Sequence, residues 1–287
     1  NSARDTLRRV ETMVLMAAVD KGIDPASTSY VSRRLKFNDP KYGPIDVSTY
    51  GGDYPGRMNL IKATLRSDNS VYQQLDLDIG PPAVSEAARR MGIPRSKLHN
   101  YPAEGLGAIR SGVSPLMMAN AYATIASGGW RNKVTAVRRI CFPKGSSSYD
   151  CEDVKPRRTK AFKDGVTSVV TNILEQNVTG GTGTRAQIGC PAAGKTGTVD
   201  DFTDAWFVGF TPRLSTAVWV GHATERRTLG GGSAGGVVAA PIWGAYMKTA
   251  KGSFCGDFPA PKQPFVAQPF FGTYSKTGDD EVSTTTT

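Results

Sequence analysis

The sequence is poor in the residues from which metal sites are built. Its two histidines are His99 and His222, and its four cysteines are Cys141, Cys151, Cys190 and Cys255. No pair of cysteines has the C-x-x-C spacing of zinc ligands, so no metal site is predicted. We expect two disulfides instead, Cys141–Cys151 around a turn-rich stretch and Cys190–Cys255. Because disulfides persist in oxidising compartments, the protein is expected to be extracytoplasmic.

Long apolar runs are also scarce at the start of the chain. The longest one there, 13–19, is far below the roughly 20 residues that cross a bilayer, and no signal peptide is recognisable. The first residue is Asn1 rather than Met, which indicates a segment that begins inside a longer gene product. Attachment to a membrane is therefore expected only through an anchor outside this segment.

Acidic residues are outnumbered by basic ones. The 287 residues include 35 Lys and Arg against 25 Asp and Glu, a formal net charge of +10. Such a surplus favours anionic partners. The basic residues are scattered rather than clustered with aromatic residues on one element, so nucleic-acid binding is not predicted. With 39% hydrophobic residues the chain has enough apolar material for a globular core.

Apolar periodicity predicts a first half that is mostly helical. Helices are expected over 2–22, 59–79 and 115–126, with irregular chain over 23–58. The second half is predicted to contain a helix over 161–174, a β-hairpin of strands 205–210 and 215–220, and a last helix over 237–250. Residues 1–252 are interpreted as the folded domain, and the Pro-rich, then Ser/Thr-rich end, 253–287, as a disordered tail.

Two glycine-rich strings match motifs but lie in the wrong context. Residues 231–235 spell G-x-S-x-G around Ser233, yet no strand is expected before them and no histidine follows His222. A serine esterase is therefore disfavoured, although loss of ester hydrolysis in Ser233→Ala would support one. Residues 180–184 resemble a phosphate-binding loop without its lysine. Both strings are interpreted as loops.

A more informative pair is Ser67-Asp68-Asn69, in a predicted helical region, and Lys195-Thr196-Gly197-Thr198, just before the hairpin. S-D-N followed by K-T-G is typical of penicillin-recognising serine acyltransferases. The edge of such a strand can pair with an extended peptide while lysine and hydroxyl groups hold its carboxylate. Glycine keeps the strand uncrowded.

Longer strings extend this similarity. They are 63–72 (ATLRSDNSVY), 101–107 (YPAEGLG), 113–126 (VSPLMMANAYATIA), 193–198 (AGKTGT), 204–210 (DAWFVGF) and 240–243 (APIW). With these strings, residues 1 to about 250 resemble the transpeptidase domain of bifunctional, class A penicillin-binding proteins of actinobacterial type.

The resemblance implies an α/β (α+β) fold in which an antiparallel sheet flanked by helices lies beside an all-helical subdomain, here without the N-terminal strands of the family. It implies D,D-transpeptidation of peptidoglycan stem peptides at their D-Ala-D-Ala bond, sensitivity to β-lactams, and no cofactor. The catalytic residues that it implies are Ser67, Asn69 and Lys195. The substrate-binding residues that it implies are Thr196, Gly197 and Thr198.

The Ser-x-x-Lys motif that carries the family nucleophile is not preserved. Counting back from the apolar run 13–22 places the serine at Arg8 and the lysine at Glu11. Arginine offers no nucleophilic hydroxyl, and glutamate reverses the charge of the activating lysine. At a spacing of i, i+3 the two residues are expected to form a salt bridge in the old pocket.

Three interpretations of this departure are open at this point. The chain is a true non-catalytic homologue, the first dozen residues contain a frame or sequencing error, or the register is wrong. The first interpretation predicts a domain that recognises stem peptides for cell-wall cross-linking with its acyl nucleophile replaced. The alternative from another class is a non-catalytic scaffold module that binds an anionic wall polymer or a cell-wall synthesis partner.

Overall fold

The computed structural model describes residues 11–107, 109, 112–144, 148–198 and 200–276. The helices in this part are α1 (Glu11–Asp20), α2 (Leu60–Arg66), α3 (Asn69–Ile79), α4 (Pro81–Met91), α5 (Pro102–Gly105), α6 (Pro115–Ala126), α7 (Asp164–Gly180) and α8 (Ala239–Ala250). The strands are β1 (Ser29–Ser32), β2 (Leu35–Asp39), β3 (Gly43–Val47), β4 (Gly56–Asn59), β5 (Trp130–Asn132), β6 (Arg139–Lys144), β7 (Ser148–Asp153), β8 (Arg158–Lys160), β9 (Ala193–Thr198), β10 (Asp204–Phe210) and β11 (Ser215–Gly221). None of these helices is long and apolar enough to cross a membrane.

The helix α1 lies at the centre of the helical half. Its side chains from Glu11 to Val19 are all buried, and it packs against α3, α4 and α7. A helix without a polar face is stable only inside a core. This packing carries Glu11, in the first turn, into the interior. The predicted helix over 2–22 is confirmed from residue 11 onward, and residues 1–10 lie outside the described part.

The single helix predicted over 59–79 is wrong, because the chain breaks between α2 and α3. Ser67 ends α2 in the left-handed conformation, with φ 56° and ψ 51°. Asp68 then begins α3 by accepting a hydrogen bond from the amide of Val71 at 3.0 Å. Apolar residues continue on both sides of this break, so the sequence pattern does not reveal it.

The main sheet has the order β11-β10-β9 in the described part of the chain, and all of its pairs are antiparallel. The predicted hairpin is β10 and β11, in register from Asp204↔Gly221 to Phe210↔Ser215. The strand β10 is buried on both faces. Phe207 packs on Trp243 of α8, with ring centroids 5.2 Å apart, while Phe210 belongs to the core around α1. Helices thus cover both faces of the sheet, as the fold prediction required.

Residues 23–58, which were predicted to be irregular, contain the strands β1, β2 and β3 and most of β4. The strand β1 pairs with β4, and β2 pairs with β3, both antiparallel. Two-stranded ribbons of four or five residues are marginal alone and depend on packing against the rest of the domain. Glycine and proline turns interrupt them, which hides them from pattern analysis.

Both predicted disulfides, Cys141–Cys151 and Cys190–Cys255, are confirmed. The first joins β6 to β7 in a hairpin whose described residues are all exposed. Because no described residue of this hairpin is buried, we attribute the pairing of its two strands to the cross-strand disulfide rather than to apolar packing.

Residues 253–276 differ from the expected disordered tail. Here and below we call them the strap. They contain no helix or strand, but they lie along the domain and contact it repeatedly: Asp164 accepts the amides of Lys262 and Gln263, and Gln268 donates its amide to Gly22. Single aromatic side chains such as Phe258 and Phe265 anchor it on the core. Because these anchors follow no period, the sequence pattern misses them. Residues 277–287 lie outside the described part.

Candidate functional site

The break between α2 and α3 positions the S-D-N motif. The amide of Ser67 donates to the carbonyl of Thr64, and this tight turn directs its hydroxyl inward, so that the residue is only 2% exposed. A left-handed conformation is uncommon for a residue other than glycine, and such positions concentrate at functional sites.

Two side chains, those of Glu11 and Lys195, meet at the Ser67 hydroxyl. Its Oγ lies 2.7 Å and 2.9 Å from the two carboxylate oxygens of Glu11 and 2.6 Å from Nζ of Lys195, which donates to it. Lys195 Nζ also lies 2.9 Å from Glu11 Oε2. Glu11 is fully buried and Lys195 is 2% exposed. The S-D-N serine, the K-T-G lysine and Glu11, which the sequence register assigns to the lysine position of Ser-x-x-Lys, therefore form one buried cluster.

The charges in this cluster compensate each other. An isolated buried charge is costly, whereas a close, hydrogen-bonded pair is tolerated. Glu11 was expected to pair with Arg8, which lies outside the described residues; the ion pair that the structure describes for Glu11 is with Lys195. The prediction from i, i+3 spacing took account only of neighbours on the same helix. The observed partner, Lys195, lies on strand β9 of the main sheet.

Two buried tyrosines, Tyr72 of α3 and Tyr122 of α6, lie on the helical side of the cluster. Burial, reinforced by the negative charge of Glu11, raises the pKa of Tyr72 above its ordinary range. Burial likewise raises the pKa of Tyr122. Both phenols are therefore neutral, and they form hydrogen bonds with Thr64 at 2.6 Å and Thr12 at 2.7 Å.

Asn69 contributes an acceptor with no partner among the described residues. Its Nδ2 donates to the carbonyl of Ser48 at 2.9 Å, which fixes the amide, while its Oδ1 is buried without a hydrogen bond. A buried polar atom left unpaired is unfavourable.

The K-T-G residues lie on β9, at the edge of the main sheet in the described part. Thr196 Oγ1 is 2.8 Å from Thr182 Oγ1, and Thr198 Oγ1 accepts the amide of Gly235 at 3.0 Å. These contacts fix the orientation of both hydroxyl groups. The structure thus brings Ser67, Asn69 and the K-T-G strand to one place, although 125 or more positions separate the two motifs in the sequence.

The G-x-S-x-G string around Ser233 has a structural role. Ser233 donates its hydroxyl to the carbonyl of Leu229 at 3.1 Å, and no strand immediately precedes the string. A side chain at Gly235 would lie 2.3 Å from the carbonyl oxygens of Gly197 and Trp206, so glycine is required for the loop to approach β9. This arrangement is not a nucleophile elbow.

Sequence reasoning missed two residues of the site, Thr182 and Gly235. Thr182 belongs to the string 180–184, which was interpreted as a loop, and its hydrogen bond to Thr196 explains why a polar residue stands there. The only sequence signal for Gly235 was the G-x-S-x-G string, whose glycines allow the loop to lie close to another part of the backbone. Among the described residues no group of three His, Cys, Asp or Glu side chains is placed to bind a metal ion.

Comparison with known proteins identifies the family of the domain. The family model described as the penicillin binding protein transpeptidase domain matches residues 12–248. Penicillin-binding protein 1A of Aquifex aeolicus is 31% identical over 263 residues, 90% of this chain and 35% of the relative. Penicillin-binding protein 1A of Mycolicibacterium smegmatis is 32% identical over 280 residues, 88% and 34% of the two chains. The chain spans about a third of the length of these relatives.

Solved structures show the same fold. Penicillin-binding protein 1A from Haemophilus influenzae superposes with a TM-score of 0.77 at 21% identity, covering 96% of this chain and 48% of that one. The penicillin-binding protein PonA1 from Mycobacterium tuberculosis superposes with a TM-score of 0.73 at 24% identity, covering 93% and 76%. From the family model and these relatives together, the chain belongs to the transpeptidase-domain family of penicillin-binding proteins, among the class A proteins.

Proposed function

We propose that this domain recognises peptidoglycan stem peptides in cell-wall synthesis without forming an acyl-enzyme. The observation that carries the proposal is the buried ion pair between Glu11 and Lys195, with the Ser67 hydroxyl hydrogen-bonded to both. The position of Glu11 also supports the register of the sequence comparison, because the residue at the place of the lost lysine contacts the serine of S-D-N and the lysine of K-T-G.

Acyl transfer needs an exposed nucleophile and a group that takes its proton. By the sequence register the nucleophile position holds Arg8, which has no hydroxyl, and it lies outside the described residues. Ser67 does not replace it, because its oxygen is buried and is engaged with Glu11 and Lys195. Lys195 is itself engaged with the Glu11 carboxylate and the Ser67 hydroxyl. The arrangement therefore favours binding without chemistry.

The peptide-binding elements are kept. Thr196, Gly197 and Thr198 lie on an edge strand, with which an extended peptide can pair through its main chain. Asn69, the last residue of the S-D-N motif, has its side-chain amide fixed by a hydrogen bond to the carbonyl of Ser48. In this proposal the threonine hydroxyls, with Lys195 behind them, hold the carboxylate of the terminal D-Ala. β-Lactams, which resemble that terminus, are expected to bind without a covalent bond, and no cofactor takes part.

The same proposal places the domain in the cell envelope. Two disulfides in one domain are consistent with an oxidising compartment. Membrane attachment is assigned to an anchor outside this segment.

Calorimetric titration of the domain with a stem peptide ending in D-Ala-D-Ala tests the proposal. We expect binding that is at least about tenfold weaker for the same peptide ending in L-Ala-L-Ala, because specific polar sites discriminate strongly. Thr198→Val and Asn69→Ala should each weaken binding about tenfold. The matched control is Ser233→Ala, on the loop next to β9, which should leave the affinity unchanged.

Equal affinity for the two peptides, or an equal loss in all three variants, would contradict specific recognition by this cleft. A correctly folded domain that binds neither peptide would favour the scaffold alternative.

A further inference from the structure

A second concave site, which shares no residue with the peptide site proposed on β9, lies on the two-stranded ribbon of β5 and β8. It is a cavity of about 690 Å³ between this ribbon, Gly92 at the end of α4 and Asn120 of α6. Four basic residues line it: Arg131, Lys133, Arg157 and Arg158. No acidic residue is among its described lining residues. We call it the basic cleft.

Strand register places three of these cations on one face of the ribbon. Arg131 pairs with Thr159, and the amide of Lys133 donates to the carbonyl of Arg157 at 2.8 Å. Side chains alternate along a strand, so Arg131, Lys133 and Arg157 project together. The opposite face holds Trp130, on whose ring the Arg158 guanidinium stacks at 4.7 Å.

The charge of the cleft is not compensated nearby. In the described part of the chain no ion pair joins Lys133 or Arg157 to an acidic side chain, and both are exposed. Residues 130–160 contain nine Lys and Arg against three Asp and Glu, so this ribbon and its hairpin account for six of the ten surplus charges. Clustered cations in a concave site focus a positive potential that attracts anions.

The shape of the basic cleft and the hydrogen-bond donors that line it indicate the chemical class of its ligand. A cavity of this volume with three aligned cations suits several linked anionic groups rather than one ion. Its concave form suits a chain rather than a flat membrane surface. Guanidinium forks match phosphate oxygens, and the neutral donors Asn120 and Thr159, which also line the cleft, suit the additional oxygens of a tetrahedral phosphate.

We infer that the basic cleft binds a linear phosphodiester polymer of the cell envelope through Arg131, Lys133 and Arg157. The peptide site on β9 is not involved, so this inference stands or falls independently of the proposed function. Bound at this cleft, such a polymer would hold the domain on the wall material.

The test measures binding of a fluorescent glycerol-phosphate oligomer by polarisation over a series of salt concentrations. The triple variant Arg131→Ala, Lys133→Ala, Arg157→Ala should bind about tenfold to a hundredfold more weakly, and the slope of log affinity against log salt should fall by about two to three. The matched control, Lys62→Ala, Arg95→Ala, Lys248→Ala, removes three exposed cations elsewhere and should change affinity less than about twofold.

Equal weakening by the two triple variants would overturn the assignment, because only net charge would matter. Equally tight binding of a poly-glutamate of the same charge would overturn the phosphodiester class. Binding to phosphatidylglycerol vesicles that the cleft variant abolishes would replace the polymer with a membrane. Circular dichroism checks folding, and Arg157→Ala alone, at an exposed position, keeps the test decisive if the triple variant unfolds.

Discussion

Glu11 and Lys195 hold each other's charge inside the protein, and this coupling can be measured. We expect Glu11→Gln or Lys195→Met alone to lower the free energy of unfolding by about 3–5 kcal/mol, since each leaves the other charge buried without its partner. The double variant should be clearly more stable than the sum of the two losses predicts. Denaturant unfolding measures all four proteins. Additive losses would contradict a direct ion pair.

Two carboxylates on α3 make a second test at the residue scale. Both oxygens of Asp76 are buried without a hydrogen bond among the described residues. Burial, reinforced by the charge of Glu104 and only partly offset by the neighbouring Gln73 side chain, raises the pKa of Asp76 well above its ordinary value. Asp78, two residues later, instead accepts the Tyr274 amide at 3.1 Å and the Tyr30 hydroxyl at 3.0 Å.

The raised pKa of Asp76 fixes the sign of a pH effect. Below the unfolded-state pKa both states keep the proton, and no penalty arises. As pH rises from there towards the folded-state pKa, only the unfolded chain releases the proton, so the folded protein loses stability. Asp76→Asn should therefore stabilise the fold by about 1–3 kcal/mol near pH 7 and by much less near pH 4.

The matched change Asp78→Ala should destabilise by about 1–3 kcal/mol, because it leaves the amides of the strap without an acceptor. Thermal unfolding at the two pH values measures both variants. A loss of stability near pH 7 in Asp76→Asn would show that the carboxylate has a partner there.

At the scale of elements, the loop before α8 supports the edge of β9. The hydrogen bond from the Gly235 amide to Thr198 requires a close approach that a methyl group would block. Gly235→Ala should weaken binding of a D-Ala-D-Ala peptide about tenfold or more by displacing Thr198. Gly231→Ala, in the same loop with open space around it, should have no effect. If Gly235→Ala and Gly231→Ala bound the peptide equally well, this loop would have no part in supporting the peptide site.

The elements of the site were predictable to different extents. Ser67 and Lys195 were found as motifs because hydroxyl, amide and lysine residues recur there in a fixed order, and the hairpin of β10 and β11 was found because its apolar alternation is regular. The pairing of Glu11 with Lys195 was not found, because only the tertiary fold brings a helix and a distant strand together. The break at Ser67 escaped detection for a related reason: its conformation is set by capping hydrogen bonds rather than by apolar spacing.

At the scale of the whole molecule, the strap turns a chain end without regular structure into part of the fold. Sequence patterns detect periodic burial, whereas Phe258 and Phe265 anchor the strap singly. Composition alone therefore predicted disorder for a segment that is tied to Gly22, Asp78 and Asp164 by hydrogen bonds.

The two disulfides should differ in their effect on the stability of the whole domain. Cys190–Cys255 closes a loop with a sequence separation of 65 and fastens the strap, so Cys190→Ala with Cys255→Ala should cost about 4 kcal/mol by loop entropy. Cys141→Ala with Cys151→Ala affects an exposed hairpin, and the unfolding midpoint should hardly change, while protease cleavage within 139–153 accelerates. Equal shifts of the midpoint would contradict this separation.

The central claim, binding without acylation, is tested most directly by the intact mass of the protein after incubation with benzylpenicillin. Three folded proteins are compared: the natural chain, the revertant Arg8→Ser, Glu11→Lys, and the control Arg8→Ala, Glu11→Lys, which restores the lysine without a nucleophile. We expect a covalent adduct on the revertant only, because the natural chain keeps the cleft and the two substitutions restore the serine nucleophile and its lysine. An adduct on the natural chain would contradict the account, since it would reveal a working nucleophile.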